Sequence, residues 1–319
     1  KLIGFRRRIA ALIGYTGGES LEQISFSDRI KGLHILPYSL WNLEKDRVGI
    51  WGEKEAVLDG IYAHVEQLQD IPLDVIILTV KSYDTAHSVI QIQPLVQKNT
   101  LVIVSQNGYG NYEKVSQTIG REHTLLARVI FGAKIVRTGH VEVTVIADDV
   151  RLGQPHNAVR KERVVEISEA INQSGIPTSY ARNVYQLLWD KILYNCALNP
   201  LGAVIECRYG ALAEYEGTRR IMNGIITEIF AVARAHEIAL KWDTPESYQE
   251  HFYTKLIPPT RAHFPSMYHD LKAGKRLEID ALNGAIVMLA QEKNIPVPVN
   301  ETITNLIKTK EAFLLAGIS

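Results

Sequence analysis

Residues 73–80 read Leu73-Asp74-Val75-Ile76-Ile77-Leu78-Thr79-Val80, and residues 100–105 read Thr100-Leu101-Val102-Ile103-Val104-Ser105. Both runs are short, rich in β-branched residues and apolar at consecutive positions, which is typical of strands buried on both faces. The stretch between them, from Thr85 to Val96, is compatible with a helix. Together the three segments predict a strand, helix, strand unit of a parallel sheet covered by helices.

Polar residues follow both predicted strands directly. Lys81 comes after Val80, and the pair Asn107-Gly108 comes after Ser105-Gln106. Since ligands bind beyond the carboxyl ends of the strands in open parallel sheets, Lys81 and Asn107 are predicted to lie where a cofactor binds. Each residue alone also fits a plainer interpretation, because a lysine after a strand is commonplace and Asn-Gly is an ordinary turn pair.

The rest of the chain divides into two parts of different character. The first continues with predicted strands, one helix and a final extended segment, at Leu125 to Phe131, Val141 to Ile146, Val150 to Leu152, Val159 to Asn172 and Ile176 to Tyr180. From about Asn183 onward, long helical patterns are interrupted by prolines and a glycine. We therefore predict an α/β domain over residues 1–182 and an all-helical domain over residues 183–319.

The composition excludes several classes of function. The chain has 35 basic and 35 acidic residues, so it lacks the basic field that nucleic acids and anionic membranes require of a partner. No apolar run is long enough to span a membrane, and no metal-ligand spacing is present. The only cysteines, Cys196 and Cys207, indicate a reducing compartment, the cytoplasm. A small-molecule ligand fits best; the sequence leaves the oligomeric state open, with a homodimer as one arrangement.

A polar stripe is predicted on one helix of the second domain. Lys191, Asn195 and Asn199 are spaced four residues apart, so they share one helix face, while most of their neighbours between Leu187 and Leu198 are apolar. Leaving a buried amide or ammonium unpaired is costly, so the stripe is predicted to face a polar ligand. The alternative is a solvated helix face with apolar neighbours.

The first residues suggest a nucleotide cofactor. Lys1 to Phe5 resemble the end of a strand and are followed by Arg6-Arg7-Arg8. Where the second strand of a dinucleotide-binding domain ends, a basic residue accepts the 2′-phosphate of NADP, so Arg6 favours NADP(H). The alternative is a charged surface turn before a helix from Ile9 to Ile13. Gly14 to Gly18 are expected not to form the missing glycine-rich turn, because no strand is predicted before them. We therefore expect the sequence to begin inside the second strand, with the first strand and glycine loop absent.

Two further segments of the helical domain carry polar residues. One predicted helix begins near Pro265, with Ser266 beside it, and ends at Gly274; another starts around Glu278 and Asp280. Plain interpretations are available here as well. Ser266 fits a capping hydroxyl, and the two acids fit the first turn of a helix.

In combination and order, these motifs resemble those of the ketopantoate reductases, the 2-dehydropantoate 2-reductases of pantothenate and coenzyme A biosynthesis. The resemblance covers nearly the whole chain. It is carried by Thr79-Val80-Lys81, Gln106-Asn107-Gly108, Leu188-Trp189-Asp190-Lys191 with Asn195 and Asn199-Pro200-Leu201, Pro265-Ser266-Met267 with Asp270, and Leu277-Glu278-Ile279-Asp280 with Asn283-Gly284.

The resemblance implies a Rossmann-type NADP domain, a helical catalytic domain and the NADPH-dependent reduction of 2-dehydropantoate. It implies that Lys191 is the general acid and that Glu278 is a second catalytic residue. The implied substrate ligands are Asn195, Asn199, Ser266 and Asn107, and the implied cofactor contacts are Lys81, Asn107 and Glu278. Two departures are Tyr209, where the family often has a small polar residue, and His263, where an asparagine is frequent. They leave open a reductase of another 2-keto acid. A non-catalytic NADP(H)-binding or metabolite-sensing relative is a second alternative, and the missing glycine loop leaves open a third, a degenerate chain with neither activity.

Overall fold

A computed structural model of the chain describes residues 9–12, 33–36, 60–62, 64–137 and 140–317. These residues form two compact units. The first contains the described residues up to Gln106 together with Asn111–Tyr185, and the second contains Asn107–Gly110 and the residues from Gln186 onward. Within the described ranges, no helix combines the length and apolar content needed to cross a membrane.

The first unit is built on an eight-stranded mixed sheet. Its strands and those of a separate hairpin are β1 (Ile9–Leu12), β2 (Leu33–Leu36), β3 (Gly60–Tyr62), β4 (Val75–Leu78), β5 (Leu101–Val104), β6 (Thr124–Arg128), β7 (Phe131–Arg137), β8 (His140–Ile146), β9 (Val150–Gly153) and β10 (Thr178–Tyr180). The order in the large sheet is β10-β9-β6-β5-β4-β1-β2-β3. The four central strands β1, β4, β5 and β6 are mutually parallel, whereas β2 and β9 join them antiparallel.

Both faces of β4 and β5 are buried, as the apolar runs predict. Helices α1 (Thr85–Ile92), α2 (Asn111–Ile119) and α3 (Lys161–Gln173) belong to this unit. One hydrophobic cluster contains Ile76 and Leu78 of β4, and a second contains Val75. Because side chains alternate along a strand, a strand with a cluster on each side must be apolar at consecutive positions.

The structure corrects the prediction for Ile9 to Ile13. These residues were expected to form a helix, yet Ile9–Leu12 is strand β1, in parallel register with Val75–Leu78. The two alanines favour a helix locally, but a five-residue apolar run between arginines and a glycine is stabilised by pairing in the sheet. A strand does therefore lead toward Gly14 to Gly18, contrary to expectation. Arg6 precedes the amino end of β1 in the sequence; Lys1 to Arg8 and Gly14 to Gly18 lie outside the described residues.

The predicted strand from Leu125 to Phe131 is also divided in the structure. Strand β6 ends at Arg128, and β7 starts at Phe131 and pairs only with β8 in a two-stranded sheet. The apolar pattern runs through both strands, so it carries no signal for the point where the chain leaves the main sheet.

The second unit is helical, as predicted. It contains α4 (Val184–Ile205), apart from its first two residues, and α5 (Tyr209–Glu214), α6 (Glu216–Ala235), α7 (Pro245–His251), α8 (Ile257–Thr260), α9 (Ser266–Lys272), α10 (Asn283–Glu292) and α11 (Pro298–Leu315). A single π-helical segment, Phe252–Leu256, joins α7 to α8. The long helix α4 is buried along most of its length, including Trp189, Leu193 and Ala197 at 0 % exposure.

One interaction explains how α4 continues through Pro200. Proline has no backbone N–H, so the carbonyl of Cys196, four residues earlier, loses its usual helical donor. The side-chain Nδ2 of Asn283 at the start of α10 donates to this carbonyl at 3.2 Å and to Oδ1 of Asn300 at 3.0 Å. A side chain of another helix therefore satisfies the carbonyl that Pro200 leaves open.

Candidate active site

The three stripe residues occupy one face of α4 but differ in burial. Lys191 is half-buried, whereas Asn195 and Asn199 are 9 % and 6 % exposed. The alternative of a solvated helix face is therefore wrong for the two amides. Polar side chains at this depth require hydrogen-bond partners, either from the protein or from a ligand.

The Lys191 end of the stripe is paired with the loop that follows β5. The Lys191 ammonium donates to Oδ1 of Asn107 at 2.5 Å, a contact between residues 84 positions apart. The two motifs that the sequence suggested separately are thus brought together in the second unit. A lysine ammonium has three N–H donors, and this contact uses one of them.

Gly108 fixes the loop that carries Asn107. It has φ +84°, and a Cβ atom at this position would lie 2.1 Å from the carbonyl oxygen of Ala281. The next residue, Tyr109, donates its backbone N–H to the same oxygen at 2.8 Å, and its ring lies 5.6 Å from that of Trp189. Only glycine permits both the backbone conformation and this close approach.

Glu278 lies on the segment against which this loop packs. It is half-buried, and its carbonyl accepts the backbone N–H of Ala281 at 3.1 Å, at the start of the 3₁₀ turn Ile279–Ala281. Asp280, the second acid predicted here, is exposed and forms a surface ion pair with Lys308 at 2.6 Å. The two carboxylates of this motif therefore have different environments, and only Glu278 is partly shielded from solvent.

Asn195 is the middle residue of the stripe, one helical turn from each neighbour. It is buried, yet its amide makes no hydrogen bond to another residue in the part of the chain that the structure describes. Such an amide retains two donors and an acceptor. This is the condition expected of a residue that binds a polar ligand.

Asn199 is paired with Tyr209, one of the two departures noted in the sequence. The Tyr209 hydroxyl donates to Oδ1 of Asn199 at 2.9 Å. The other departure, His263, packs its ring 5.5 Å from the Tyr209 ring. No sequence pattern connects these residues, because their contact depends on how α5 packs against the segment before α9.

Ser266 follows a residue that packs on α4 at Gly202, three positions after the last residue of the stripe. The preceding residue, Pro265, packs directly on Gly202, where a Cβ atom would come within 2.6 Å of the proline Cγ. Ser266 is exposed and its hydroxyl caps no backbone N–H at the start of α9, so the capping interpretation is wrong. Its hydroxyl is therefore accessible to a ligand.

The first unit contributes Lys81, which is half-buried and directly precedes a 3₁₀ turn at Ser82–Asp84. At the end of β5, Gln106 is buried and donates to Oγ1 of Thr85 at 2.9 Å, and Thr85 in turn donates to Asn111 at 2.8 Å. Gln106 therefore connects β5 to the starts of α1 and α2, which is a structural role within its motif. Arg6 lies outside the described residues.

Two family models match the chain. "Ketopantoate reductase PanE/ApbA" matches residues 47–157, and "Ketopantoate reductase PanE/ApbA C terminal" matches residues 183–311. The chain is 45 % identical over 267 residues to the 2-dehydropantoate 2-reductase of Aquifex aeolicus (strain VF5), covering 84 % of this chain and 85 % of that protein.

Solved structures show the same fold. The PanE/ApbA family ketopantoate reductase from Ralstonia eutropha JMP134 superimposes with a TM-score of 0.69 at 26 % identity, over 81 % of this chain and 83 % of that one. D-mandelate dehydrogenase, solved with NADH and anilino(oxo)acetate, gives a TM-score of 0.70 at 23 % identity, over 77 % and 78 %. At that identity the second likeness concerns the fold alone.

Proposed function

This chain belongs to the ketopantoate reductase family of oxidoreductases, and on that premise we propose that it reduces 2-dehydropantoate to pantoate with NADPH, in pantothenate and coenzyme A biosynthesis. The observation that carries the assignment of residues is the pairing of Lys191 with Asn107 at the head of a buried amide stripe. Asn107 and Lys191 come from two separate sequence motifs. Each motif alone also had a plain structural interpretation, as a turn pair and as a helix face.

Lys191 is proposed as the general acid. Reduction adds a hydride to the carbonyl carbon of a 2-keto acid, so negative charge develops on the carbonyl oxygen. An ammonium stabilises this charge and gives the oxygen a proton, which produces the hydroxyl group of the product. Asn107 accepts one N–H of Lys191 and thereby orients the other two. Glu278 is proposed as the second catalytic residue, which orders the Lys191 and Asn107 pair through the segment that ends at Ala281.

The amides and Ser266 are proposed to hold the substrate. A 2-keto acid presents a carboxylate, which only accepts hydrogen bonds, and 2-dehydropantoate also carries a hydroxyl group. Asn195 has an unused amide, Asn199 has an unused amide nitrogen, and Ser266 has an accessible hydroxyl. Neutral donors suit this task because they bind a carboxylate without competing with Lys191 for the proton.

The residues of the first unit fit a nicotinamide cofactor. Strands β1, β4 and β5 are parallel neighbours, and their carboxyl ends lie at the edge of the sheet where dinucleotides bind in such folds. Lys81 follows β4 at this edge, and with Asn107 and Glu278 it is proposed to contact the cofactor. When bound, NADPH supplies the hydride. Arg6 was predicted to meet the 2′-phosphate, but in the sequence it precedes the amino end of β1, whereas the cofactor edge is formed by the carboxyl ends, so we propose no cofactor contact for it.

A direct spectrophotometric assay tests this function. We expect the protein to oxidise NADPH in the presence of 2-dehydropantoate, as followed by the absorbance of reduced nicotinamide, and to prefer NADPH to NADH. No turnover with any short branched 2-keto acid would exclude the reductase and favour a non-catalytic NADP(H)-binding relative. The same preparation, examined by light scattering, tests the proposed homodimer.

One observation favours a second candidate substrate. The exposed His263 ring packs on the buried ring of Tyr209, whose hydroxyl bonds to Asn199, and both rings stand where a small polar residue and an asparagine were expected. A reductase of a 2-keto acid with a larger apolar group would use such a surface. Higher kcat/KM for an aromatic 2-keto acid than for 2-dehydropantoate would select this alternative.

Both cysteines are free thiols, in keeping with the proposed cytoplasmic location.

A further inference from the structure

Tyr209 is held more rigidly than its place at the start of a short helix would require. Its backbone N–H donates to the carbonyl of His263 at 3.1 Å, and the N–H of Gly210 donates to the carbonyl of Arg261 at 3.0 Å. A Cβ atom on Gly210 would lie 3.0 Å from that same carbonyl oxygen, so the two segments are in close contact. Two hydrogen bonds to this segment therefore fix the backbone that carries the Tyr209 ring.

The Tyr209 ring is enclosed as well. It meets the ring of Tyr194 edge to face at 5.9 Å and the ring of His263 at 5.5 Å. The Tyr194 hydroxyl is itself paired with Oγ1 of Thr260 at 2.7 Å, and so does not compete for the stripe. With only 3 % of its surface exposed, Tyr209 has one direction for its hydroxyl, toward Oδ1 of Asn199.

The direction of the hydrogen bond determines which end of the Asn199 amide remains available. Burial raises the pKa of Tyr209 far above its ordinary range, so the hydroxyl stays protonated and serves as a donor at every pH of an enzyme assay. A donor occupies Oδ1 of Asn199. The NH₂ group of Asn199, with two protons, makes no hydrogen bond to the described residues.

We infer that Tyr209 is a positioning residue, whose hydroxyl holds Oδ1 of Asn199 so that the NH₂ group of this amide faces the carboxylate of the bound 2-keto acid. This inference rests on the proposed function. It turns a departure from the expected residue type into a specific role: a buried phenol replaces a small polar group and sets the polarity of the amide. An amide free to rotate by 180° would offer its oxygen to the carboxylate half of the time, which is repulsive.

The test compares two single hydroxyl deletions in the same cluster of rings. Tyr209→Phe is expected to raise the KM for 2-dehydropantoate by about tenfold, the scale of one lost hydrogen bond, with kcat changed less. The rise is expected to be the same from pH 6 to pH 9, because the hydroxyl does not ionise there. Tyr194→Phe, the matched control, removes a hydroxyl that bonds to Thr260 and is expected to leave KM within twofold.

A double-mutant cycle separates positioning from packing. In an Asn199→Ala background, Tyr209→Phe is expected to leave KM unchanged, because the amide through which it acts is gone. Asn199→Asp tests the polarity: a carboxylate still accepts from Tyr209 but repels the substrate carboxylate, so KM is expected to rise more than in Asn199→Ala.

Each contrary result has a distinct meaning. A folded, active Tyr209→Phe protein with wild-type KM overturns the inference, as does an equal effect of Tyr209→Phe with and without Asn199. A KM for Asn199→Asp below that for Asn199→Ala overturns the assigned polarity. A wild-type protein that reduces no 2-keto acid overturns the proposed function instead. The Asn199 side-chain amide signal, followed with ¹⁵N-labelled asparagine and shifted in Tyr209→Phe, reports the hydrogen bond without turnover.

Discussion

Two faces of helix α4 use the same residue types in opposite ways. On the stripe, neither the Asn195 amide nor the NH₂ group of Asn199 makes a hydrogen bond to any of the described residues. On the other side, Asn283 bonds to the helix at Cys196 and to Asn300, whose Nδ2 donates to Glu228 at 2.7 Å. Glu228 also accepts the first backbone N–H groups of α11, from Val299 and Asn300, at 2.9 Å.

The contrast shows how to tell a structural polar residue from one that binds a ligand when both are buried. The network around Asn283 joins residues of four helices, so it stabilises the packing of α4, α6, α10 and α11. The stripe is contacted at its two ends, by Asn107 at Lys191 and by Tyr209 at Asn199. Changes on the stripe should therefore alter kinetics, and changes in the network should alter stability.

The largest kinetic effect is expected at Lys191. Lys191→Ala removes the proposed proton donor and should lower kcat by roughly 10²-fold or more. The affinity for NADPH and the thermal midpoint should barely change, because the cofactor is expected to rest mainly on the first unit. Steady-state kinetics measure kcat, calorimetric titration measures the affinity for NADPH, and thermal unfolding measures the midpoint. The matched control is Lys308→Ala, which removes an exposed lysine paired with Asp280; wild-type kcat in Lys191→Ala would end its assignment as the acid.

The next effect is expected in the network and should appear in stability. Asn283→Ala leaves the Cys196 carbonyl without its side-chain donor, since Pro200 cannot supply one, and should cost about 1–3 kcal/mol. The thermal midpoint should fall while kcat at 25 °C stays near wild type in the protein that remains folded. Asn223→Ala, which removes a half-buried partner of the Tyr253 hydroxyl, is the control and should cost less. A kinetic defect in Asn283→Ala at full stability would contradict the division between the two faces.

A smaller effect is expected at Asn195. Asn195→Ala should raise the KM for the 2-keto acid by about tenfold and lower kcat less, as expected when an interaction serves the ground state and the transition state alike. Because the Asn195 amide makes no hydrogen bond to the described residues, the thermal midpoint of Asn195→Ala should stay the same or rise slightly. A large loss of stability with unchanged KM would show that Asn195 stabilises the fold and does not bind the substrate.

Much of the fold was predictable because it depends on local patterns. The buried strands β4 and β5, helix α1 and the helical character of the second unit all follow from apolar spacing. Strand β1 did not follow, since an Ile-Ala-Ala-Leu segment is compatible with a helix and becomes a strand only by pairing with Val75–Leu78. The end of β6 at Arg128 was not predicted for the same reason. Where a strand leaves a sheet depends on the neighbouring strands and not on its own apolar pattern.

The sequence by itself determined which residues share a face. The four-residue spacing of Lys191, Asn195 and Asn199 guarantees one stripe wherever the helix packs. Tertiary structure alone decided what that face meets: Asn107 from a distant loop, held by the approach of Gly108 to Ala281, and Tyr209 from the start of α5. The physical reason is that periodicity is fixed by helix geometry within a few residues, whereas a contact across 84 residues depends on the packing of every element between them.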